Sequence, residues 1–185
     1  MNLSDACDAF LEDCQARNLS ASAVSNYKGL LGQLRDFANA RGIREISEID
    51  VAALRDWRAL WKIKPATHQL RLVLLRRFFG FAVDEGWIAE SPAERLKPPK
   101  NDAAPTMPLA RDEIRAMFAA AGGATRERAL LMLMRYSGLA IRDACTLRRD
   151  ALNGADLTVR RAKSGELVMC TLPVPVADEL EIWGR

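Results

Sequence analysis

The nine residues YSGLAIRDA, numbered 136–144, and the six residues RRAKSG, numbered 160–165, are the most informative stretches of this 185-residue chain. In the first run, Gly138 separates an apolar helical pattern from a new helix start, which predicts a sharp turn between two helices. In the second, Lys163-Ser164-Gly165 separates two stretches typical of β-strands, 156–162 and 166–172, which predicts a β-hairpin. Residues 136–172 are therefore predicted to combine helices with a small sheet.

Helices are predicted on both sides of this stretch. A capped helix start is expected at 108–114, and the run ALLMLM at 129–134 is apolar on most sides, which predicts a buried helix over 125–136. Asp143 is expected to begin a short helix, and residues 176–183 are expected to form one more. The second half of the chain is thus predicted to be α+β.

The first hundred residues show the period of amphipathic helices in four successive segments, which predicts a compact bundle. Ser20 is expected to cap the second helix and Ser47 or Asp50 the third, while the fourth is expected to run from about Thr67 to Gly86. The apolar positions predicted to face the interior are Leu3, Cys7, Phe10, Cys14, Val24, Tyr27, Leu31, Leu34, Ala38, Val51, Leu54, Trp57, Leu60, Leu70, Val73, Leu74, Phe78 and Phe81.

Prolines and polar residues interrupt the helical pattern between residues 98 and 105. This stretch is the best candidate for a domain boundary. We therefore predict a helical domain at 1–97, a linker at 98–107 and a second domain at 108–185.

The motifs at 136–165 resemble those of the tyrosine recombinase family, the phage integrases and Xer-type recombinases, in which Gly-Leu-Arg opens a helix with an acidic residue three positions after the Arg. Ala140 stands at the position of that first Arg, Asp143 fits the acidic position, and Lys163 fits the family's hairpin lysine. The order of helices over residues 1–97 is similar to the SAM-like core-binding domain of the same enzymes. The resemblance implies a mainly α protein, with a four-helix core-binding bundle followed by a truncated α+β catalytic domain with a small β-hairpin sheet.

The resemblance also implies the chemistry of the site. Lys163 would donate a proton to the departing 5′ oxygen, Asp143 would support the site from behind, and no metal or other cofactor is required. Ala140 has no guanidinium to hold the scissile phosphate. The chain reaches Arg185 without the family's His-x-x-Arg segment or its nucleophilic tyrosine, so we expect no cleavage by this chain alone.

The formal charge of +3 is modest, but its distribution is uneven. Between Arg55 and Arg77 there are seven Lys or Arg and one acid, Asp56, whereas the first sixteen residues carry four acids and no base. Concentrated positive charge of this kind is typical of a surface that follows phosphates. Double-stranded DNA is therefore the expected partner, and the resemblance implies that the two domains hold the duplex from opposite sides.

The candidate DNA-binding residues lie on the second and fourth predicted helices and just before the fourth. Each also has a simpler interpretation as a cap or as the solvated face of an amphipathic helix, and Lys163 could equally be a solvated turn residue. The candidates are Ser22, Ser25, Asn26, Lys28, Lys64, Thr67, His68, Arg71, Arg76 and Arg77.

Two other classes of function remain open. One is a non-catalytic DNA-binding accessory or regulatory module, and the other is a helical protein-interaction domain with basic faces for acidic partners. The scattered Cys7, Cys14, Cys145 and Cys170 and the lack of a leader or a membrane-spanning run predict a reduced, cytoplasmic protein. A monomer is expected for this fragment, and the resemblance implies a tetramer on DNA for the full-length family.

Overall fold

The structure is a computed structural model that describes residues 1–100, 104–123 and 125–183. The chain divides into two compact units, Met1–Ala104 and Pro105–Arg185. Residues 101–103 of the predicted linker at 98–107 lie outside the described residues. Within the described part of the chain, no helix is both long and apolar enough to cross a bilayer.

The described residues of the first unit form four α-helices, as predicted. Local sequence fixes where they begin: the side chain of Asn2 accepts from Ser4 N (2.9 Å), Ser20 Oγ from Ala23 N (3.3 Å) and Asp50 Oδ1 from Ala53 N (2.7 Å). Of the two caps predicted for the third helix, Asp50 is the one used. The helices are α1 (Leu3–Ala16), α2 (Ala21–Ala40), α3 (Val51–Ala59) and α4 (Pro65–Asp84).

Aromatic rings dominate the core of the helical unit. Phe10 makes edge contacts with Tyr27, Phe78 and Phe81 at centroid distances of 4.9, 5.5 and 5.4 Å. Phe78 in turn lies 5.1 Å from Phe79, and both of these rings have no exposed surface. These contacts join α1, α2 and α4 into one core, which confirms the predicted placement of the α1 and α2 stripes.

The predicted interior faces of α3 and α4 were partly wrong. Helix α3 ends at Ala59, so Leu60 falls outside it and is 67% exposed. On α4, Leu70 and Val73 are 48% and 44% exposed instead of buried. The buried residues of α4 are Leu72, Leu75, Phe78, Phe79 and Ala82, because the helix presents a neighbouring stripe to α1 and α2.

The second unit contains four α-helices, a short 3₁₀ helix (Arg149–Ala151) and one small sheet among its described residues. Its sheet has the order β1-β2-β3 and is antiparallel throughout, with Leu152 paired to Leu157 and Arg160 paired to Leu167. The elements are α5 (Arg111–Ala121), α6 (Arg126–Ser137), α7 (Ile141–Cys145), β1 (Leu152–Asn153), β2 (Asp156–Arg160), β3 (Leu167–Thr171) and α8 (Val174–Trp183). The predicted hairpin is confirmed, with strands shorter than expected and with β1 added at one edge.

The core of the second unit lies between α6, α7, α8 and one face of the sheet. Helix α6 buries Ala129, Met132 and Leu133 and leaves the rest of its apolar run half-buried, so it is less enclosed than predicted. The half-buried Arg128 links α6 to two other helices: its guanidinium is hydrogen-bonded to the Glu179 carboxylate on α8 and lies 5.4 Å from the Phe118 ring on α5. Helix α7 begins at Ile141, two residues before the predicted Asp143.

Candidate functional site

The turn from α6 to α7 presents Ala140 to solvent. Gly138 ends α6 in the left-handed conformation, with φ 66°, which favours glycine. Ser137 Oγ accepts a hydrogen bond from Leu139 N (3.2 Å), and the Leu139 side chain is buried in the core. Ala140 follows as the extended residue that precedes α7, and its methyl group is exposed.

Asp143 is the buried polar residue of this site, with 5% of its surface exposed. Its Oδ1 accepts a hydrogen bond from the backbone N–H of Ala162 at 2.8 Å. The bond spans 19 residues and ties α7 to the residue that immediately precedes Lys163. A buried acceptor with a good partner is stable, whereas the same group without one is costly.

The turn that carries Lys163 is also closed by its own backbone. Arg161 N donates to Glu166 O and Gly165 N donates to Arg161 O, both at 2.8 Å, and Gly165 has φ 72°. Lys163 itself is exposed. The structure therefore brings the turn of Lys163 and the helix that follows Ala140 together through one buried carboxylate.

Seven of the ten predicted DNA-binding residues are exposed in the helical unit. They are Ser22, Ser25, Asn26, Lys28, Lys64, Thr67 and Arg77. Burial raises the pKa of Tyr27 on α2, and the charge of Arg77 on α4 lowers it in smaller measure. Helices α2 and α4, which carry most of these candidates, pack against each other in the same core.

The three remaining candidates are half-buried and have partners inside the unit. Arg76 donates to the backbone oxygens of Leu96 (2.8 Å) and Ala93 (3.4 Å), so it fastens the segment after α4 to the bundle. The Arg71 guanidinium lies over the Trp61 ring at 5.1 Å. These contacts give Arg76 a structural role and hold Arg71 in one orientation.

His68 accepts a hydrogen bond at Nε2 from Arg58 Nε at 2.6 Å, and its ring meets the edge of Trp61 at 4.9 Å. Burial lowers the pKa of His68, and the charges of Arg58 and Arg71 lower it further. The imidazole is therefore neutral at pH 7 and acts as an acceptor for Arg58. Arg58 also donates to Lys97 O at 2.6 Å.

Sequence reasoning missed the organising roles of Arg58 and Trp61. In the sequence, Arg58 is only one member of a basic run, and Trp61 is only an aromatic residue beyond the end of the third predicted helix. The spacing of Trp57 and Trp61, four residues apart, was the one available signal, since it would stack their rings if α3 continued; the rings do meet, at 5.0 Å.

Known proteins are similar to this chain in both of its units. Residues 7–86 match the family described as "Phage integrase, N-terminal SAM-like domain". The chain is 29% identical over 188 residues to tyrosine recombinase XerC of Xanthomonas campestris pv. campestris (strain B100), covering 97% of this chain and 58% of the relative. It is 31% identical over 179 residues to XerC of Mycobacterium bovis (strain BCG / Pasteur 1173P2), covering 87% of this chain and 59% of the relative.

A solved structure shows the same fold. The lambda integrase (75–356) dimer bound to a COC′ core site superposes with a TM-score of 0.77 at 18% identity, covering 98% of this chain and 69% of that one. The chain spans 58–59% of the length of the XerC relatives above. Because the helical unit matches the N-terminal SAM-like domain of phage integrases and the alignment with XerC continues through the second unit, both units of the chain are similar to proteins of the tyrosine recombinase family.

Proposed function

We propose that this chain is the DNA-binding portion of a site-specific tyrosine recombinase and that its helical unit binds duplex DNA. The observation that carries the proposal is the basic segment, residues 55–77, which contains seven Lys or Arg and the single acid Asp56. Asp56 is paired with Arg41, which lies outside the segment, at 2.8 Å between Nη1 and Oδ2. Asp56 therefore does little to neutralise the segment's own cations, and a phosphate backbone suits such a surface.

The related structure supports the same partner, since that lambda integrase is bound to a DNA core site. In this chain, Lys28, Lys64, Thr67, Arg71 and Arg77 would mainly contact phosphates and so position the protein on the duplex. We expect residues 1–185 alone to be monomeric and the full-length recombinase to act as a tetramer on DNA.

Replacing Lys64 and Arg77 together by alanine should weaken DNA binding by on the order of tenfold or more, because both side chains are exposed and each would neutralise a phosphate. The salt dependence should also become shallower, by about 0.9 in the slope of log K against log salt for each phosphate that is no longer neutralised. Fluorescence anisotropy of a labelled duplex over a salt titration measures both quantities.

The matched control removes two cations elsewhere, in the variant Arg95→Ala with Arg115→Ala. Both side chains are well exposed and paired with nearby acids, Glu90 and Asp112. The control lowers the net charge by the same amount as the Lys64 and Arg77 variant. It removes none of the proposed DNA-binding residues, so it should leave the salt slope unchanged. An equal loss in both variants would mean that net charge alone drives binding, and no binding of the unaltered chain at low salt would refute the proposal.

The chemistry of the family explains why we propose that this chain binds without cutting. Attack by a phenolate on a phosphodiester needs cations around the developing negative charge and an acid for the departing oxygen. Lys163 would supply that acid, and the hydrogen bond from Ala162 N to Asp143 would hold its turn in place. Ala140 supplies no cation, which would cost about 3 kcal/mol or more of transition-state stabilisation.

Neither tyrosine of residues 1–185 suits the role of nucleophile. Tyr27 is 5% exposed, and burial raises its pKa, which opposes formation of the phenolate. Tyr136 lies at the end of α6, ahead of the Gly138 turn instead of beyond the hairpin. We therefore expect no covalent protein–DNA adduct with a nicked duplex on a denaturing gel, either for this chain or for its Ala140→Arg variant. An adduct mapped to either tyrosine would contradict this.

Ala140 also favours a second candidate function, a DNA-binding accessory module that occupies recombination sites without cutting them. The two candidates differ in their effect on an active recombinase. An accessory module added in excess to an active XerC-type enzyme and its site should change the yield of recombinant product at concentrations where it binds that site, whereas a mere fragment with weaker affinity than the intact enzyme should not.

A further inference from the structure

Helix α4 carries an exposed apolar stripe that the core of the helical unit does not use. Leu70 and Val73 are 48% and 44% exposed, although they lie in the middle of a 20-residue helix. The same helix already supplies five buried residues to the core, at positions 72, 75, 78, 79 and 82. Packing of the unit therefore does not explain why large apolar side chains stand at positions 70 and 73.

The position of these residues on the helix is informative. At 100° per residue, Ala66, Leu70, Val73 and Arg77 fall within an arc of about 60°. All four are exposed. One narrow face of α4 therefore carries a small side chain at its beginning, two apolar side chains in its middle and a cation at its end. Lys62 and Lys64 precede the helix and are exposed as well. An apolar patch with cations on both sides calls for a partner that is anionic at its edges and apolar between them.

The major groove of B-DNA has this pattern. Phosphates line its two edges, and the C5-methyl group of thymine is the apolar group that base pairs present in its floor. The groove is wide enough to admit an α-helix, and α4 is about 30 Å long. A groove floor without methyl groups would offer Leu70 and Val73 no apolar partner. A lipid surface does not suit the stripe either, because helices that bind lipid present a wider apolar face.

We propose that Leu70 and Val73 contact thymine C5-methyl groups in the major groove and give the chain a preference for A·T pairs at those positions. The inference rests on the proposed function, since it assigns the reading of sequence to the same helix whose flanking cations would bind phosphates. Affinity then comes mainly from Lys64 and Arg77, and discrimination between bases comes from the two apolar side chains. Neither Leu70 nor Val73 is among the ten DNA-binding residues that the sequence predicts.

The test compares a duplex of alternating dA and dT with the same duplex carrying dU in place of dT, which removes only the methyl groups. Fluorescence anisotropy of the full 185-residue chain should show weaker binding to the dU duplex, by about fourfold for each methyl group that Leu70 or Val73 would otherwise bury. The variant Leu70→Ala with Val73→Ala should bind the two duplexes equally. Both positions are exposed, so circular dichroism should show an unchanged fold.

Leu60→Ala is the matched control, because Leu60 is an apolar residue with 67% exposure that does not lie on α4. This variant should discriminate between the duplexes as the unaltered chain does. A second readout restores a methyl at another base: a dG–dC duplex carrying 5-methylcytosine should bind more tightly than the unmethylated one, and only when Leu70 and Val73 are present.

The outcomes separate this inference from the function on which it rests. Equal, salt-sensitive binding to the dT and dU duplexes would overturn the methyl contacts and leave DNA binding intact, as expected if the stripe bound a protein instead. Discrimination that persists in the double variant would assign the effect to duplex shape and would also overturn the inference. No binding to any duplex would refute the proposed function itself.

Discussion

Replacing Phe78 by alanine is expected to lower the free energy of unfolding of the helical unit by about 3–5 kcal/mol. The ring has no exposed surface and contacts both Phe10 and Phe79, so its removal leaves a cavity between α1 and α4 that the bundle fills only in part. Small domains have stabilities of about 5–15 kcal/mol, so such a variant would be close to unfolding. Urea denaturation followed by circular dichroism measures the change.

The control for this experiment is Phe81→Ala. Phe81 lies one turn further along α4 and is only partly buried, so its removal should cost clearly less. Equal destabilisation by the two variants would mean that the core is not centred on Phe78. A destabilisation below about 1 kcal/mol at Phe78 would contradict the packing of this ring against Phe10 and Phe79.

Asp143→Ala is expected to destabilise the second unit by about 1–3 kcal/mol, because the N–H of Ala162 loses its acceptor within a part-buried site. Amide hydrogen exchange should show the effect most directly, as faster exchange at Ala162 than in the unaltered chain. Asp143→Asn keeps a carbonyl oxygen at the same place and should retain most of the protection.

One result would count against this role of Asp143. If the Ala162 amide exchanged equally fast in the unaltered chain and in Asp143→Ala, the hydrogen bond would not hold the turn of Lys163. The two substitutions also separate charge from geometry, since Asp143→Asn removes the negative charge and Asp143→Ala removes the acceptor as well.

Periodicity predicted the fold well where a helix has one apolar side. On α1, the residues Leu3, Cys7, Phe10 and Cys14 define a single stripe, and all four are buried. Helix α4 is different because Leu70, Leu72, Val73, Leu74 and Leu75 surround much of its circumference. Two stripes can be drawn through them, and the position of α1 and α2 selects one. Local sequence does not contain that information.

The candidate site was also only partly predictable, because some of its contacts depend on how elements far apart in the sequence meet. Spacing and the family resemblance singled out Ala140, Asp143 and Lys163, but the partner of Asp143 is a backbone N–H that no side-chain pattern reveals. The pairing of Arg58 with His68 was equally hidden, because it depends on how the end of α3 meets the start of α4. The two-residue strand β1 is too short to show a period of its own.

The hydrogen bond between Asp143 and Ala162 has a consequence for how this region can change. Its donor belongs to the main chain, so the anchor makes no demand on which side chains occupy positions 162–164. Every amino acid except proline offers the same N–H at position 162. The tip of the hairpin is thus free to vary in chemical character while its place relative to α7 is kept, which allows one scaffold to present different side chains at the same point.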